Sequence, residues 1–239
     1  MEIELFACRG DNYGVLIRDP ATGRVGAIDA CAFDAYDDAL SRRGWGLDAI
    51  LVTHRHFDHI EGVPGLVEKY GAKVVAPALA KVDLPMADRY VGEGDQVKIG
   101  GLEAQVWHMP GHCADHIAYY FAGENIIFVG DVLFAMGCGR VLDSSMEALY
   151  LSVMRLAALP DETQLYCGHE YTLANARFCA HIEPDNAEIR ARLKNVEAAR
   201  AEGRFTIPTT VGEEKATNVF VRAPDLAEFA RRREAKNRF

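Results

Sequence analysis

The stretch Ile50-Leu-Val-Thr-His-Arg-His-Phe-Asp-His59 decides how the rest of the chain is interpreted. Three of the eight histidines fall within six residues here, directly after an apolar run that predicts a buried strand. Alternate side chains of an extended segment share a face, so His54 and His56 point the same way, and a turn then brings Asp58 and His59 back toward them. Two imidazoles with a carboxylate suit zinc or iron. The alternative, a polar loop in which Asp58 caps a helix, is more typical of a lone histidine than of this pattern.

Three further candidate ligands, His112, Asp131 and His169, each follow a glycine close to the end of an apolar run. Glycine lets the backbone turn sharply where a strand stops. Taken singly, these histidines suit structural hydrogen bonds and the aspartate suits a turn. Together with the first stretch, five histidines and two aspartates are enough for two adjacent metal ions, which Asp131 is able to bridge through its two oxygens. Two ions about 3.5–4 Å apart lower the pKa of a shared water to about 7.

Other polar residues have less specific patterns. His108 and His116 flank the Pro-Gly-His turn and are placed to orient ligands, whereas His181 lies on a predicted helix and is assigned a structural role. Asp29 suits either an orienting role or an ordinary turn, and residues 10–13 are predicted to form a turn.

The charge of the chain excludes a broad nucleic-acid surface. The 239 residues carry 26 Lys and Arg against 35 Asp and Glu, a net charge of −9, whereas nucleic-acid binders are typically basic. Residues 231–238 hold five basic residues and one glutamate, a net +4, which leaves −13 for the remainder. This local basic patch indicates a small acidic ligand.

Cysteine usage and the N-terminal sequence predict a reduced, cytoplasmic protein. The beginning, Met1-Glu-Ile-Glu-Leu-Phe6, does not have the pattern of a signal peptide, and no run reaches the roughly 18 apolar residues of a membrane span. No pair of cysteines has CxxC spacing, so all six are expected to be free thiols. They are Cys8, Cys31, Cys113, Cys138, Cys167 and Cys179.

Short apolar runs alternate with helical patterns, which predicts an α/β (α+β) fold followed by a helical C-terminal region. The predicted domains are a catalytic domain at residues 1–169 and a helical domain at residues 170–239. Strands are predicted at residues 13–17, 24–28, 49–53, 73–76, 96–99, 104–108, 116–121, 126–129 and 164–167. Helices are predicted at residues 33–43, 63–70, 146–159, 173–181, 186–202 and 225–237.

The chain resembles the metallo-β-lactamase superfamily in its ligand motifs. These are Thr53-His-Arg-His-Phe-Asp-His59, Pro110-Gly-His112, Gly130-Asp131 and Gly168-His169. The resemblance implies an αββα four-layer sandwich with metal ions at one sheet edge. It also implies that His54, His56 and His112 bind one metal ion, that Asp58, His59 and His169 bind a second, and that Asp131 bridges both.

Within the superfamily, the chain resembles the glyoxalase II family over nearly its whole length. The motifs are Gly10-Asp-Asn-Tyr13, Gly137-Cys-Gly-Arg140, Tyr166-Cys-Gly-His-Glu-Tyr-Thr172, His181-Ile-Glu-Pro184 and Arg233-Glu-Ala-Lys-Asn-Arg-Phe239. By this resemblance Arg140, Tyr171, Arg233 and Lys236 bind glutathione, and Asp58 and Asp131 are catalytic. Arg55 stands where a third histidine is common, and we expect Arg55→His to matter little. Residues 141–145 depart from the usual glutathione-binding segment.

The resemblance implies a binuclear-metal thioesterase, with zinc, iron or manganese, acting in methylglyoxal detoxification. The reaction would be hydrolysis of S-D-lactoylglutathione to D-lactate and glutathione, by a monomer with no nucleic-acid or membrane partner. A thiol with a pKa near about 8.5 leaves as the thiolate without a strong general acid. The alternatives are another thioester hydrolase of this fold and an iron oxidoreductase of the persulfide dioxygenase type, which generally lacks the helical tail.

Overall fold

The computed structural model describes residues 1–239 and divides into two compact units. The first comprises Met1–His108 and Asp115–Gly130, and the second comprises Met109–Ala114 and Asp131–Phe239. This division does not follow the boundary at residue 169 that the sequence predicts, so that boundary stays a prediction. No helix is both long enough and apolar enough to span a membrane.

The first unit contains a six-stranded mixed sheet in which the strands follow one another in chain order. The first three strands pair antiparallel, and the third to the sixth pair parallel. The strands are β1 (Glu2–Ala7), β2 (Tyr13–Arg18), β3 (Val25–Ile28), β4 (Ala49–Leu51), β5 (Lys73–Pro77) and β6 (Arg89–Val91). Helix α1 (Phe33–Arg43) connects β3 to β4, while α2 (Phe57–Ile60) and α3 (Val63–Tyr70) connect β4 to β5.

Four more strands of this unit form an antiparallel meander. They are β7 (Gln96–Ile99), β8 (Leu102–His108), β9 (Ile117–Phe121) and β10 (Ile126–Gly130). The core of the unit packs one face of the first sheet against α1 and α3, with Leu16, Ile50 and Leu66 fully buried. Burial of such side chains is worth about 1.5–3 kcal/mol each. The parallel strands of this sheet therefore pack against a buried apolar core. Strand β4, one of these strands, leads directly into the histidine-rich stretch.

The second unit is mostly helical. Its strands form two short antiparallel pairs: β11 (Leu133–Phe134) with β12 (Gly137–Cys138), and β13 (Gln164–Cys167) with β14 (Thr209–Thr210). Its helices are α4 (Met146–Ala157), α5 (Thr172–Ile182), α6 (Ala187–Ala201), α7 (Val211–Thr217) and α8 (Leu226–Arg238).

One sequence expectation is wrong. Cys8 and Cys31 form a disulfide, with their Cα atoms 6.4 Å apart. The fold brings the end of β1 beside the loop after β3, and a separation of 23 residues in sequence does not reveal that proximity. The other four cysteines are free thiols, as predicted, and all four are buried.

Candidate metal centre

The first unit brings together four of the predicted ligands, His54, His56, Asp58 and His59, which we call the first donor set. The chain leaves β4 extended and turns into α2 at Phe57. The ring centroid of His54 lies 4.7 Å from that of His56 and 4.1 Å from that of His59. Nε2 of His59 lies 3.6 Å from Oδ2 of Asp58. The sequence predicts that His54 and His56 share a face and that a turn brings Asp58 and His59 back toward them, and the local geometry agrees with this prediction.

Asp29 orients two histidines of the first donor set. Its carboxylate accepts hydrogen bonds from the main-chain nitrogen and the hydroxyl of Thr53, at 2.6 and 2.8 Å, and lies 2.8 Å from Nδ1 of His59. The Thr53 hydroxyl also lies 3.0 Å from Nδ1 of His54. Because Nδ1 of each ring is engaged, Nε2 is the atom that a metal ion would take. Asp29 is therefore an orienting residue rather than an ordinary turn residue.

Asn12 supports the set from another side, a role that the sequence analysis missed. Its side-chain amide donates to Oδ2 of Asp58 at 3.1 Å and to the Asp58 carbonyl at 3.2 Å. The sequence analysis predicts a turn at the Gly-Asp-Asn-Tyr motif and uses the motif for the family resemblance, but it assigns Asn12 no contact with Asp58. A short polar side chain in that motif was the one available signal.

The second unit brings together the other three predicted ligands, His112, Asp131 and His169, which we call the second donor set. Oδ2 of Asp131 lies 3.3 Å from Nε2 of His169 and 3.6 Å from Nε2 of His112. Nδ1 of His112 lies 2.9 Å from the Arg140 carbonyl oxygen, so its Nε2 also points to the ligand side. A side chain at Gly139 would collide with the Asp131 carbonyl, which explains the glycine beside Arg140.

Both donor sets fit divalent metal ions. Two ligand atoms that each lie about 2.0–2.2 Å from one metal ion are about 3–3.6 Å apart at tetrahedral or octahedral angles. The nitrogen–oxygen separations within the two sets are 3.3, 3.6 and 3.6 Å. Their side chains are imidazoles and carboxylates, the donors that zinc, iron and manganese accept. Divalent metal binding is thus a property of these residues.

Aromatic rings and a buried carboxylate hold the segment that carries His169. The Tyr171 ring stacks on His169 at 4.8 Å with an interplanar angle of 4°, and Phe134 contacts both rings edge-on. Glu170 accepts hydrogen bonds from the main chain and hydroxyl of Thr206 and pairs with Arg200 at 3.2 Å. The helical part of the second unit therefore fixes the residue next to this ligand.

The residues predicted to bind glutathione differ in exposure. Arg140 is exposed, Tyr171 is 36% exposed and Lys236 is partly buried. Arg233 is only 4% exposed, and its guanidinium donates to the Cys138 carbonyl at 2.7 Å. Burial and the charges of Arg233 and Arg140 lower the pKa of Lys236 to about 8. The three cations therefore lie close enough to repel one another, which favours an anionic ligand.

The remaining histidines take various places. His116 stacks on His54 with ring centroids 4.8 Å apart, which suits the predicted orienting role. His108 lies at the end of β8, where its main-chain nitrogen donates to Glu93. His181 packs against the ring of Phe239 on α5, consistent with a structural role.

The mixed sheet and the two donor sets define a metal-binding protein whose predicted ligands follow strand ends, and the comparisons with known proteins agree. Residues 26–169 match the model of the metallo-beta-lactamase superfamily, and residues 170–239 match the model of the hydroxyacylglutathione hydrolase C-terminus. A Methylobacterium sp. (strain 4-46) protein named hydroxyacylglutathione hydrolase is 52% identical, with 100% of this chain and 99% of the relative covered. A protein of the same name from Rhodopseudomonas palustris (strain BisA53) is 47% identical, with 99% and 98% covered.

Solved structures show the same fold. ETHE1 from Myxococcus xanthus has a TM-score of 0.77 and 29% identity, with 99% of this chain and 92% of that chain covered. TTHA1623, solved in a di-iron-bound form, has a TM-score of 0.59 and 29% identity, with 70% and 91% covered. The chain therefore belongs to the metallo-β-lactamase superfamily and, within it, to the hydroxyacylglutathione hydrolase family. The predicted fold class is confirmed.

Proposed function

We propose that this chain hydrolyses S-(2-hydroxyacyl)glutathione thioesters, such as S-D-lactoylglutathione, to the hydroxy acid and glutathione. The observation that carries the proposal is that relatives named hydroxyacylglutathione hydrolase match the whole chain, including the helical segment 170–239. That segment contributes two of the three clustered cations. A glutathione thioester carries two carboxylates, which the acidic remainder of the chain would repel unless cations met them locally.

The proposed resident metals are two divalent ions, with the ligands that the family resemblance implies. His54, His56 and His112 would bind one ion, Asp58, His59 and His169 the other, and Asp131 would bridge them. We assign zinc, with iron and manganese as alternatives, since the donors suit all three. When bound, the metal ions supply an activated water and polarise the thioester carbonyl.

The side chains of this chain then have distinct tasks. Asp58 orients the attacking water, and Asn12 holds the Asp58 carboxylate in place through its 3.1 Å hydrogen bond. Arg140, Tyr171 and Lys236 bind the glutathione part. Arg233 is buried, so it contributes positive charge near the glutathione part without lying at the surface. Its guanidinium donates a hydrogen bond to the Cys138 carbonyl. The thiol leaves as a thiolate, so no general acid is required.

An iron oxidoreductase of the persulfide dioxygenase type is the second candidate. The match of residues 170–239 to the hydroxyacylglutathione hydrolase C-terminus disfavours it, and ETHE1 from Myxococcus xanthus is less similar in sequence than the curated relatives. Cytoplasmic localisation and a monomeric state stay predictions.

The deciding experiment combines elemental analysis of the purified protein with two assays. In the first assay, we expect the thioester absorbance of S-D-lactoylglutathione to fall. In the second assay, with glutathione persulfide, we expect no oxygen uptake. Oxygen uptake without thioester hydrolysis would reverse the assignment.

A further inference from the structure

The disulfide between Cys8 and Cys31 is the one place where the cysteines of this chain are joined. Cys8 is partly exposed, whereas Cys31 is only 2% exposed. The four other cysteines are buried, and burial raises the pKa of Cys138 to about 11. A thiol that stays protonated is a poor nucleophile. Thiol–disulfide exchange is therefore open to this pair and closed to the buried thiols.

The disulfide joins two segments that each support the first donor set. On one side, the main-chain nitrogen of Cys8 donates to the Asn12 carbonyl at 3.0 Å, and the Asn12 amide holds Asp58. The other side is the loop that precedes Cys31. There Asp29 contacts His59, and the main-chain nitrogen of Ala30 donates to the His59 carbonyl at 2.7 Å. One covalent bond thus links the supports of two adjacent ligands.

We propose that Cys8–Cys31 is a reversible thiol–disulfide modification site whose oxidised form strengthens metal binding by the first donor set. The reductant is glutathione, so this part rests on the proposed function, in which glutathione is the thiol released. A glutathione thiolate attacks Sγ of Cys8, the more exposed of the two cysteines, and Cys31 leaves as a thiolate that takes a proton. A second glutathione attacks the mixed disulfide, so that two glutathione molecules become one glutathione disulfide and the protein gains two thiols.

Reduction frees the Asn12 turn from the Asp29 loop. Hydrogen bonds remain on each side, but the two segments then fluctuate independently, and Asp58 and His59 are held less firmly. Loss of partners that orient metal ligands typically lowers metal affinity 10–100-fold. Because reduction loosens these partners without removing them, we expect a fall of about tenfold.

The test equilibrates the metal-loaded protein anaerobically in buffers of fixed total glutathione and varied thiol-to-disulfide ratio. The protein is then unfolded in urea so that buried thiols also react, and the free thiols are alkylated and counted by intact mass. After glutathione is removed by desalting, zinc affinity is measured by competition with a chromophoric chelator. We expect four alkylated cysteines under oxidising conditions and six under reducing conditions, with about tenfold weaker zinc binding in the reduced form. A glutathione adduct at intermediate ratios should map to Cys8.

Two variants complete the design. The double variant Cys8→Ser with Cys31→Ser should bind zinc like the reduced protein at every ratio, whereas the control Cys179→Ala should keep the redox response. Equal zinc affinity of the oxidised and reduced wild-type protein, or six alkylated cysteines at every ratio, would overturn the proposal. None of these readouts uses the thioester, so a protein that responds to redox state but does not hydrolyse thioesters would refute the proposed function alone.

Discussion

Arg55 donates two hydrogen bonds to the carboxylate of Asp115, one from its main-chain nitrogen at 2.9 Å and one from its guanidinium at 2.5 Å. The Asp115 side chain is fully buried, while that of Arg55 is 28% exposed. Arg55 stands between two ligands of the first donor set, so this pair anchors the backbone from which both imidazoles project.

Arg55→His should therefore destabilise the protein, whereas the sequence-based expectation of little effect concerns turnover. The histidine side chain is shorter and has no guanidinium, so the buried Asp115 carboxylate loses a charged hydrogen-bond donor. This loss lowers the free energy of unfolding by about 1–3 kcal/mol. The free energy of unfolding from urea titration measures the change. The matched control is Arg24→His, since Arg24 forms an exposed ion pair with Asp48 that is worth about 0–1 kcal/mol. Equal stability of Arg55→His and the wild type would refute the anchoring role.

The purified protein should hold close to two metal ions per chain. Seven donor side chains are too many for a single ion that keeps an open position. During chelation, the metal content from elemental analysis and the thioesterase activity should fall together. Both should recover when metal is added back. Full activity with one metal ion per chain would contradict the two-metal assignment.

Asp58→Ala and Asp131→Ala should each lower kcat by orders of magnitude, because both carboxylates belong to the donor sets rather than to the apolar core. Their circular dichroism spectra should match that of the wild type. Asp161→Ala, at an exposed carboxylate paired with Lys215, serves as the control and should keep normal turnover. Near-normal kcat and metal content in either test variant would show that the role is misassigned.

The KM for the thioester should rise between pH 7 and pH 9. The pKa of Lys236 is lowered to about 8, so its ammonium is present below that pH and is lost above it. Only about a tenth of the Lys236 ammonium remains at pH 9, so loss of its charge-assisted hydrogen bond raises KM by up to about tenfold. The Lys236→Arg variant keeps its charge over this range, so its KM should change little with pH. The same dependence of KM on pH in both proteins would show that Lys236 does not bind the substrate.

The variant with both Arg233→Ala and Lys236→Ala should raise KM strongly and change kcat less, because these contacts bind ground and transition states alike. Added salt should raise the wild-type KM more than that of the variant. The single variants should differ: Lys236→Ala acts on KM, while Arg233→Ala also lowers the melting temperature, since Arg233 is buried against the Cys138 carbonyl. An unchanged KM in the double variant, or larger effects at Arg231 and Arg232, would show that Arg233 and Lys236 do not bind the glutathione part.

The sequence predicts the core strands, the long helices and both donor sets because apolar periodicity and crowded histidines are local signals. Helix α7 was missed, although Thr210 and Glu213 form a capping box whose four-residue pattern is visible in the sequence. The support of Asp58 by Asn12 and the disulfide of Cys8 join residues that are distant in sequence. No local pattern encodes which loops meet, so contacts of that kind emerge only from the folded chain.

The family boundary between residues 169 and 170 cuts the peptide bond that joins His169 to Glu170. Glu170 forms an ion pair with Arg200 of α6 and accepts a hydrogen bond from Thr206 in the loop after α6. All three of these residues lie within residues 170–239, so a tail exchanged at this bond brings its own contacts to the position after His169. A chimaera joined at this bond would have to inherit the glutamate, the arginine and the threonine together, or the foreign tail would misplace the histidine before it.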